Sequence, residues 1–230
     1  MGEIDIANLI SHLVIYIVVL LLAISVHEAG HAWMSYKFGD DTAYMLGRVT
    51  LNPVAHTDPI GTLLIPIISF VVTYTTGARV PLIGWGIPTP VNPRKWDRYK
   101  LANVMVSIAG IGANLILMLI GFVIFKTLLE TSAINAQNAE TGVIKVLVLF
   151  LDNLIFLNLS LAVFNLLPFP PLDGSKVLAT FLPASFEPVL NVLETYGFLI
   201  LLALVYMGVI GIVIYPFYVL VQYLLVTPWF

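Results

Sequence analysis

Val26-His27-Glu28-Ala29-Gly30-His31 closes an apolar run that opens near Leu13. On a helix, positions i and i+4 share one face, so His27 and His31 can present two imidazole nitrogens to one metal ion. Glu28 follows the first histidine by one residue, about 100° round the helix, beside the metal rather than opposite it. That is the metalloprotease use of H-E-x-x-H, in which zinc brings the pKa of its water to ~7 and the glutamate acts as general base. The bland alternative is a chance pair of helix histidines. Against it, all three polar side chains lie in a segment apolar enough to cross a bilayer, where an unpaired charge costs several kcal/mol.

Composition puts the whole chain in the same solvent. Its 230 residues are 60% hydrophobic and 10% charged, against roughly 25% charged for a soluble domain, so the expected class is an all-α polytopic membrane protein. With no cysteine and only four histidines (His12, His27, His31 and His56), metal ligands must come from His, Asp and Glu. A net charge of −3 without a basic run excludes a nucleic-acid partner. No cleavable signal peptide is expected, because Glu3 and Asp5 but no Lys or Arg precede an apolar run that itself contains the metal motif.

Six apolar segments are predicted to be helices, at about Leu13–Met34, Ile60–Tyr74, Leu101–Phe125, Val143–Leu167, Val189–Tyr206 and Val209–Val226. His27 lies ~21 Å along the first, two-thirds of the way through a ~30 Å hydrocarbon layer. Lys37 and Arg48 follow this helix while only acids precede it, which places the N-terminus outside and the metal nearer the cytosol. Between the first two segments, Tyr44–Leu51 has the β-branched and aromatic content of a strand or small membrane-edge hairpin. After it, His56 and Asp58 sit in a proline-rich turn. His56 is read there as supporting the site or the fold rather than as a ligand, and Asp58 as a polar group near the membrane face. Val80–Pro93 is apolar yet carries four prolines, so it is expected to be a re-entrant loop packed against protein. Arg94, Lys95, Arg98 and Lys100 form the densest basic cluster and ask to be cytosolic. In the third span, Ala109-Gly110-Ile111-Gly112-Ala113-Asn114 offers small residues for close helix contact. The fourth span ends at Asn165-Leu166-Leu167-Pro168-Phe169-Pro170-Pro171-Leu172-Asp173-Gly174, where prolines stop the helix.

His27-Glu28-Ala29-Gly30-His31 combined with Asn165 to Gly174 resembles the site-2 protease family of intramembrane zinc metalloproteases. Gly47-Arg48-Val49-Thr50-Leu51-Asn52-Pro53, His56-Thr57-Asp58-Pro59 and Pro88-Thr89-Pro90-Val91-Asn92-Pro93 are similar to its short, minimal branch without PDZ or CBS domains. The resemblance spans Ser25 to about Lys176. It implies one zinc per chain on His27, His31 and Asp173, with Glu28 as base and Asn165 hydrogen-bonding the substrate carbonyl. The family's third-helix motif A-G-P-x-x-N reads Ala109-Gly110-Ile111-Gly112-Ala113-Asn114 here, and Asn114 joins His56 and Asp58 as a candidate to support the site or contact substrate.

The expected protein is therefore one membrane domain over residues 1–230, with a catalytic core at about 9–182 and a C-terminal helical pair at about 187–230. Its expected reaction is zinc-dependent hydrolysis of a peptide bond within or beside the transmembrane segment of a single-pass membrane protein, in a prokaryotic cell membrane. The rival class is a non-hydrolytic protein, a metal transporter or an inactive scaffold for helices, because intramembrane His and acidic residues also mark ion pathways.

Overall fold

The computed structural model describes residues 5–77 and 84–229. Its helices are α1 (Ile6–Lys37), α2 (Thr42–Met45), α3 (Ile65–Thr76), α4 (Tyr99–Glu130), α5 (Gly142–Leu166), α6 (Asp173–Ala179), α7 (Glu187–Tyr206) and α8 (Val209–Val226). The Asp5 carboxylate caps the first helix by accepting from the Asn8 amide at 3.0 Å. A π-helical stretch, Pro59–Leu64, leads into α3, and Gly77 ends α3 at φ +69, where a side chain would be strained. Among the described residues six helices are long and apolar enough to cross a membrane, and each overlaps one of the six predicted segments. The protein is a multi-pass membrane protein.

Side-chain contacts fix the directions of the long helices. His31 reaches Val106 and His27 reaches Asn114, while the Lys145 ammonium lies 2.9 Å from Asn8 Oδ1. So α4 runs antiparallel to α1, and α5 runs parallel to it. Ile15 and Val19 pack on Leu154 between them. In α8, Tyr218 stacks on Phe156 at 4.8 Å, and its last turn is capped by α4: buried Lys126 donates to the carbonyls of Leu225 at 2.9 Å and Thr227 at 2.5 Å. The ends of α4 and α8 therefore share a face with the starts of α1 and α5. The opposite face holds the end of α1, the start of α4 and the short helix α6. Behind these, Leu201 of α7 packs with Leu172 and Ile210.

The segment from Pro59 to Thr76 runs back along α1, with Phe70 stacked on Tyr16 at 5.4 Å and Tyr74 beside His12 at 6.3 Å. Residues 80–83 of the predicted Val80–Pro93 loop lie outside the described residues. By Trp85 the chain is again beside the start of this limb, where its amide donates to the Gly61 carbonyl at 3.2 Å. From Gly84 to Asn92 it forms neither helix nor strand.

The strand or hairpin expected at Tyr44–Leu51 is corrected. Among the described residues there is no strand, and this stretch holds the end of α2 followed by a turn. The reason is local hydrogen bonding. Asp40 Oδ1 accepts from the Thr42 amide at 3.0 Å, Gly47 adopts φ +67, and the Arg48 amide closes back onto Ala43 at 2.8 Å. The Thr50 carbonyl accepts from His56 at 2.9 Å, so this carbonyl and the Arg48 amide, which a ladder would need, are already paired.

Asp40 is fully buried and organises this end of the molecule. Its Oδ2 accepts from Ser35 Oγ at 2.8 Å and the Asn92 amide at 2.7 Å, and Trp96 donates to the same serine at 2.7 Å. Burial alone would raise its pKa, but the hydrogen bonds from Thr42, Asn92 and Ser35 outweigh that and hold the carboxyl below the usual range. A carboxylate depressed in this way stabilises the fold above its unfolded pKa and loses the contribution as pH falls through the folded one. Asp40→Ala is accordingly expected to cost about 3 kcal/mol near neutral pH, read as a lower thermal unfolding midpoint in detergent. The gap to wild type should shrink on acidification; equal midpoints at neutral pH would contradict this reading.

Candidate metal centre

Three side chains from two distant parts of the sequence meet at one point. His27 Nε2 and His31 Nε2 are 3.0 Å apart, and Asp173 Oδ2 is 3.2 Å from the first and 3.0 Å from the second. All three residues are buried. Among the described residues they are the one group of three that could hold a metal.

The tautomers follow from the carbonyls around them. Leu154 offers only an acceptor, so the Asn158 amide nitrogen faces it at 2.8 Å, and Asn158 Oδ1 then accepts from Asn114 Nδ2 at 2.8 Å. The same nitrogen donates to Ala23 at 3.1 Å. Asn114 Oδ1 is left to accept from His27 Nδ1 at 2.6 Å. His31 Nδ1 likewise donates to the Val106 carbonyl at 2.7 Å. With both Nδ1 atoms protonated, each neutral ring keeps its lone pair on Nε2. Two nitrogen lone pairs and a carboxylate oxygen at these separations repel one another unless a cation lies among them.

Zinc fits. Bonds of ~2.0–2.1 Å to nitrogen and oxygen in a tetrahedron leave neighbouring ligand atoms ~3.3 Å apart, close to what is seen, and a set of three leaves a fourth position open, as catalytic zinc sites do. The acceptors of each Nδ1–H, Asn114 Oδ1 and the Val106 carbonyl, are also the kind of partner that orients a zinc-binding histidine.

Each element contributes a specific reason for the convergence. Helical spacing puts the histidines on one face of α1. Gly110 of α4 lies beneath both rings: a Cβ there would fall 2.5 Å from His31 Nε2 and 2.8 Å from His27 Cε1. Gly30 serves the same approach, since a Cβ on it would come 2.8 Å from the Ala109 carbonyl. Beyond α5 the proline-rich turn brings Asp173 in as the first residue of α6. Gly174 then packs where a Cβ would collide with the Leu166 carbonyl at 2.2 Å. Lys176 takes the other carboxylate oxygen, Oδ1, at 2.9 Å, which leaves Oδ2 for the histidines.

The remaining predicted residues lie around this centre. Glu28 turns to the Gly84–Asn92 segment, where its Oε2 accepts from the Thr89 amide at 2.7 Å and its main-chain carbonyl from Thr89 Oγ1 at 2.9 Å. Asn114 touches His27 directly. Asn165 donates to Leu161 in its own helix at 2.9 Å. Asp58 caps the π-helical stretch through the amides of Ile60 and Gly61 at 2.9 and 2.6 Å. His56 is buried, donates to Thr50, and accepts from Ile87 through its main-chain carbonyl at 2.9 Å; it is not among the three converging residues. Sequence reasoning missed Gly110 as the floor of the site, Asn158 as the anchor of Asn114, and Thr89 as the partner of Glu28. The available signal for Gly110 was its place one turn before Asn114 in an apolar helix.

Comparison with known proteins agrees with this geometry. The profile of Peptidase family M50 matches residues 15–207. "Putative zinc metalloprotease YwhC" of Bacillus subtilis (strain 168) is 39% identical over 188 residues, covering 82% of this chain and 78% of its own. "Putative zinc metalloprotease Rip2" of Mycolicibacterium smegmatis is 28% identical over 200 residues, covering 85% and 69%. No solved structure matches the chain.

Two substitutions separate orientation of the rings from their presence. Asn114→Ala is expected to weaken zinc binding by about 10- to 100-fold in a competition titration against a chelating dye, while Gly110→Val should prevent stoichiometric loading by displacing both rings. Unchanged affinity in both variants would contradict the geometry.

Proposed function

Because the chain belongs to Peptidase family M50, whose members are zinc metalloproteases, we propose that it hydrolyses a peptide bond within or beside the transmembrane segment of a single-pass membrane protein. The observation that carries this reading is the meeting of His27, His31 and Asp173 inside a bundle of candidate membrane spans, with a glutamate that is not one of them on the next position of the same helix. A transporter would instead need a series of sites across the bilayer, and among the described residues there is one such group. Residues 1–230 act as one membrane domain in this reading.

Zinc held by His27, His31 and Asp173 would supply Lewis-acid activation of both water and the scissile carbonyl. Glu28 takes a proton from the attacking water and delivers it to the leaving amine, so the peptide C–N bond is exchanged for a C–O bond with one water consumed. The Thr89 amide holds Oε2 of Glu28 and leaves Oε1 to face that water. The Asn165 amide spends one N–H on Leu161 and has a second for the substrate carbonyl.

A substrate helix must be opened before its carbonyl can be attacked, which calls for an edge that accepts extended chain. The amides of Trp85, Ile87 and Thr89 face inward, to Gly61, His56 and Glu28. In extended backbone the alternate residues, Gly86, Pro88 and Pro90, face the other way. That outer edge, carbonyl-rich and poor in N–H because two of its three residues are prolines, accepts the amides of an unwound substrate by strand addition. The Pro59–Thr76 limb and the Gly84–Asn92 segment enter and leave the bilayer from the metal's side, making this edge part of a re-entrant unit. Arg94, Lys95, Arg98 and Lys100 gather on that side, which makes it the cytosolic one, with the N-terminus and the link after α4 outside a prokaryotic cell membrane.

Two measurements check these assignments. Glu28→Gln should abolish cleavage of a membrane-embedded substrate while zinc stays stoichiometric; persistent cleavage would remove Glu28 from the chemistry. Single cysteines at Lys95 and Gln137 should differ toward a membrane-impermeant thiol reagent on intact cells, position 137 labelling at once and position 95 only after permeabilisation. The reverse pattern would invert the topology.

A further inference from the structure

On α5, seven residues past Lys145, Asp152 is exposed on the outside of the bundle. At 1.5 Å per residue it lies ~10 Å deeper than that lysine, about level with Ile15 of the parallel helix α1 and so within the hydrocarbon layer on the side of the α1 start. Among the described residues it makes no hydrogen bond or ion pair. A lone carboxylate inside the bilayer is costly, so an acid left open to lipid asks for a partner outside the chain.

The surface around it has a defined shape. Asp152, Phe156 and Ser160 follow one another at i, i+4 and i+8 on a single stripe of α5. Tyr218 of α8 stacks on Phe156 at 4.8 Å and bonds Ser160 Oγ at 2.7 Å. Because α8 runs antiparallel to α5, its next turn places Gln222 at the depth of Asp152, and Gln222 is likewise exposed and without a hydrogen bond. Below them the α5/α8 seam opens into a crevice of about 360 Å³ lined by Ser160, Gly211, Ile214, Tyr215 and Tyr218. A Cβ at Gly211 would meet nothing within 4 Å, which gives a neighbouring backbone room to approach closely.

We propose that the α5/α8 seam is a docking face for a transmembrane helix that carries a lysine or arginine at the depth of Asp152, paired with that carboxylate and flanked by Gln222. Charge complementarity selects this occupant over a second copy of the chain. The α8 sequence has no basic residue, the lysine of α5 lies at its outer end against Asn8, and Lys126 is spent on Leu225, Thr227 and Glu130. A second copy docked through the same seam would set Asp152 against no free cation among the described residues of α5 and α8. The proposal is independent of the metal centre, whose ligands lie on α1 and α6.

The chain has no cysteine, so a single one at Val219, half-exposed on α8, reports contact by disulfide crosslinking. The full-length Val219→Cys protein is reconstituted in phosphatidylcholine vesicles with a leucine-rich helix of about 23 residues, bearing one cysteine and either a lysine at the depth of Asp152 or a leucine in its place. The lysine helix should crosslink about tenfold more than the leucine helix. The advantage should vanish with Asp152→Leu and Asp152→Asn and persist with Asp152→Glu, all retaining stoichiometric zinc as evidence of folding. Equal crosslinking of both helices, or a lysine preference that survives both neutral substitutions, overturns the proposal. So does dominant crosslinking of Val219→Cys to itself, which would name a second copy as the occupant.

Discussion

Mutual repulsion among His27 Nε2, His31 Nε2 and Asp173 Oδ2, held within 3.0 to 3.2 Å of one another, is the constraint on which the rest of the structure depends. Lone pairs do not gather in an apolar bundle by themselves, and every element around the site helps to hold them there against that repulsion. The α1 spacing aligns the rings and Gly110 gives them floor space. Asn114, anchored by Asn158, and the Val106 carbonyl decide which nitrogen carries the proton. Lys176 restrains the second oxygen of Asp173. These contacts are strong because few competing partners exist at that depth, and they make sense together only with a cation at the centre.

A second constraint joins the base to the re-entrant segment. Pro88 and Pro90 leave Thr89 as the one residue of that tripeptide with an amide N–H, and it is bonded to Glu28. Asp40 holds the segment further along at Asn92, while Gly61 and His56 hold its start. In the proposed mechanism the element that receives the substrate is thereby the one that sets the position of the base. The burial of His56 and its main-chain bond to Ile87 give it a role in that support, consistent with its not joining the three converging residues.

Much of this was legible in the sequence. The six candidate spans are long apolar runs, and hydropathy reports them because a helix in lipid must satisfy its backbone internally. The convergence of His27 and His31 with Asp173 was legible only through resemblance, since no local pattern says that residues 142 positions apart (173 − 31) come together. The misreading at Tyr44–Leu51 arose because β-branched and aromatic content reports a preference for a half-buried pleated surface, and here Asp40, Gly47 and His56 supply competing local bonds. The directions of the last two helices were illegible as well. The contacts of buried Lys126 with the end of α8 and of the Trp229 amide with Glu130 assign that end to the face where α4 finishes. Asp152 was passed over because one acid in a long apolar helix hardly changes its hydropathy, and only the structure reveals that it faces outward.

Zinc K-edge X-ray absorption on the purified, zinc-loaded protein, compared with its Asp173→Ala variant, tests the central claim most directly. The account predicts one zinc per chain in a four-coordinate nitrogen and oxygen shell at ~2.0–2.1 Å, with outer-shell scattering from two imidazoles, and loss of that zinc or of one oxygen neighbour in the variant. A shell with more or fewer than two imidazoles, or a spectrum and stoichiometry that Asp173→Ala leaves unchanged, would contradict it.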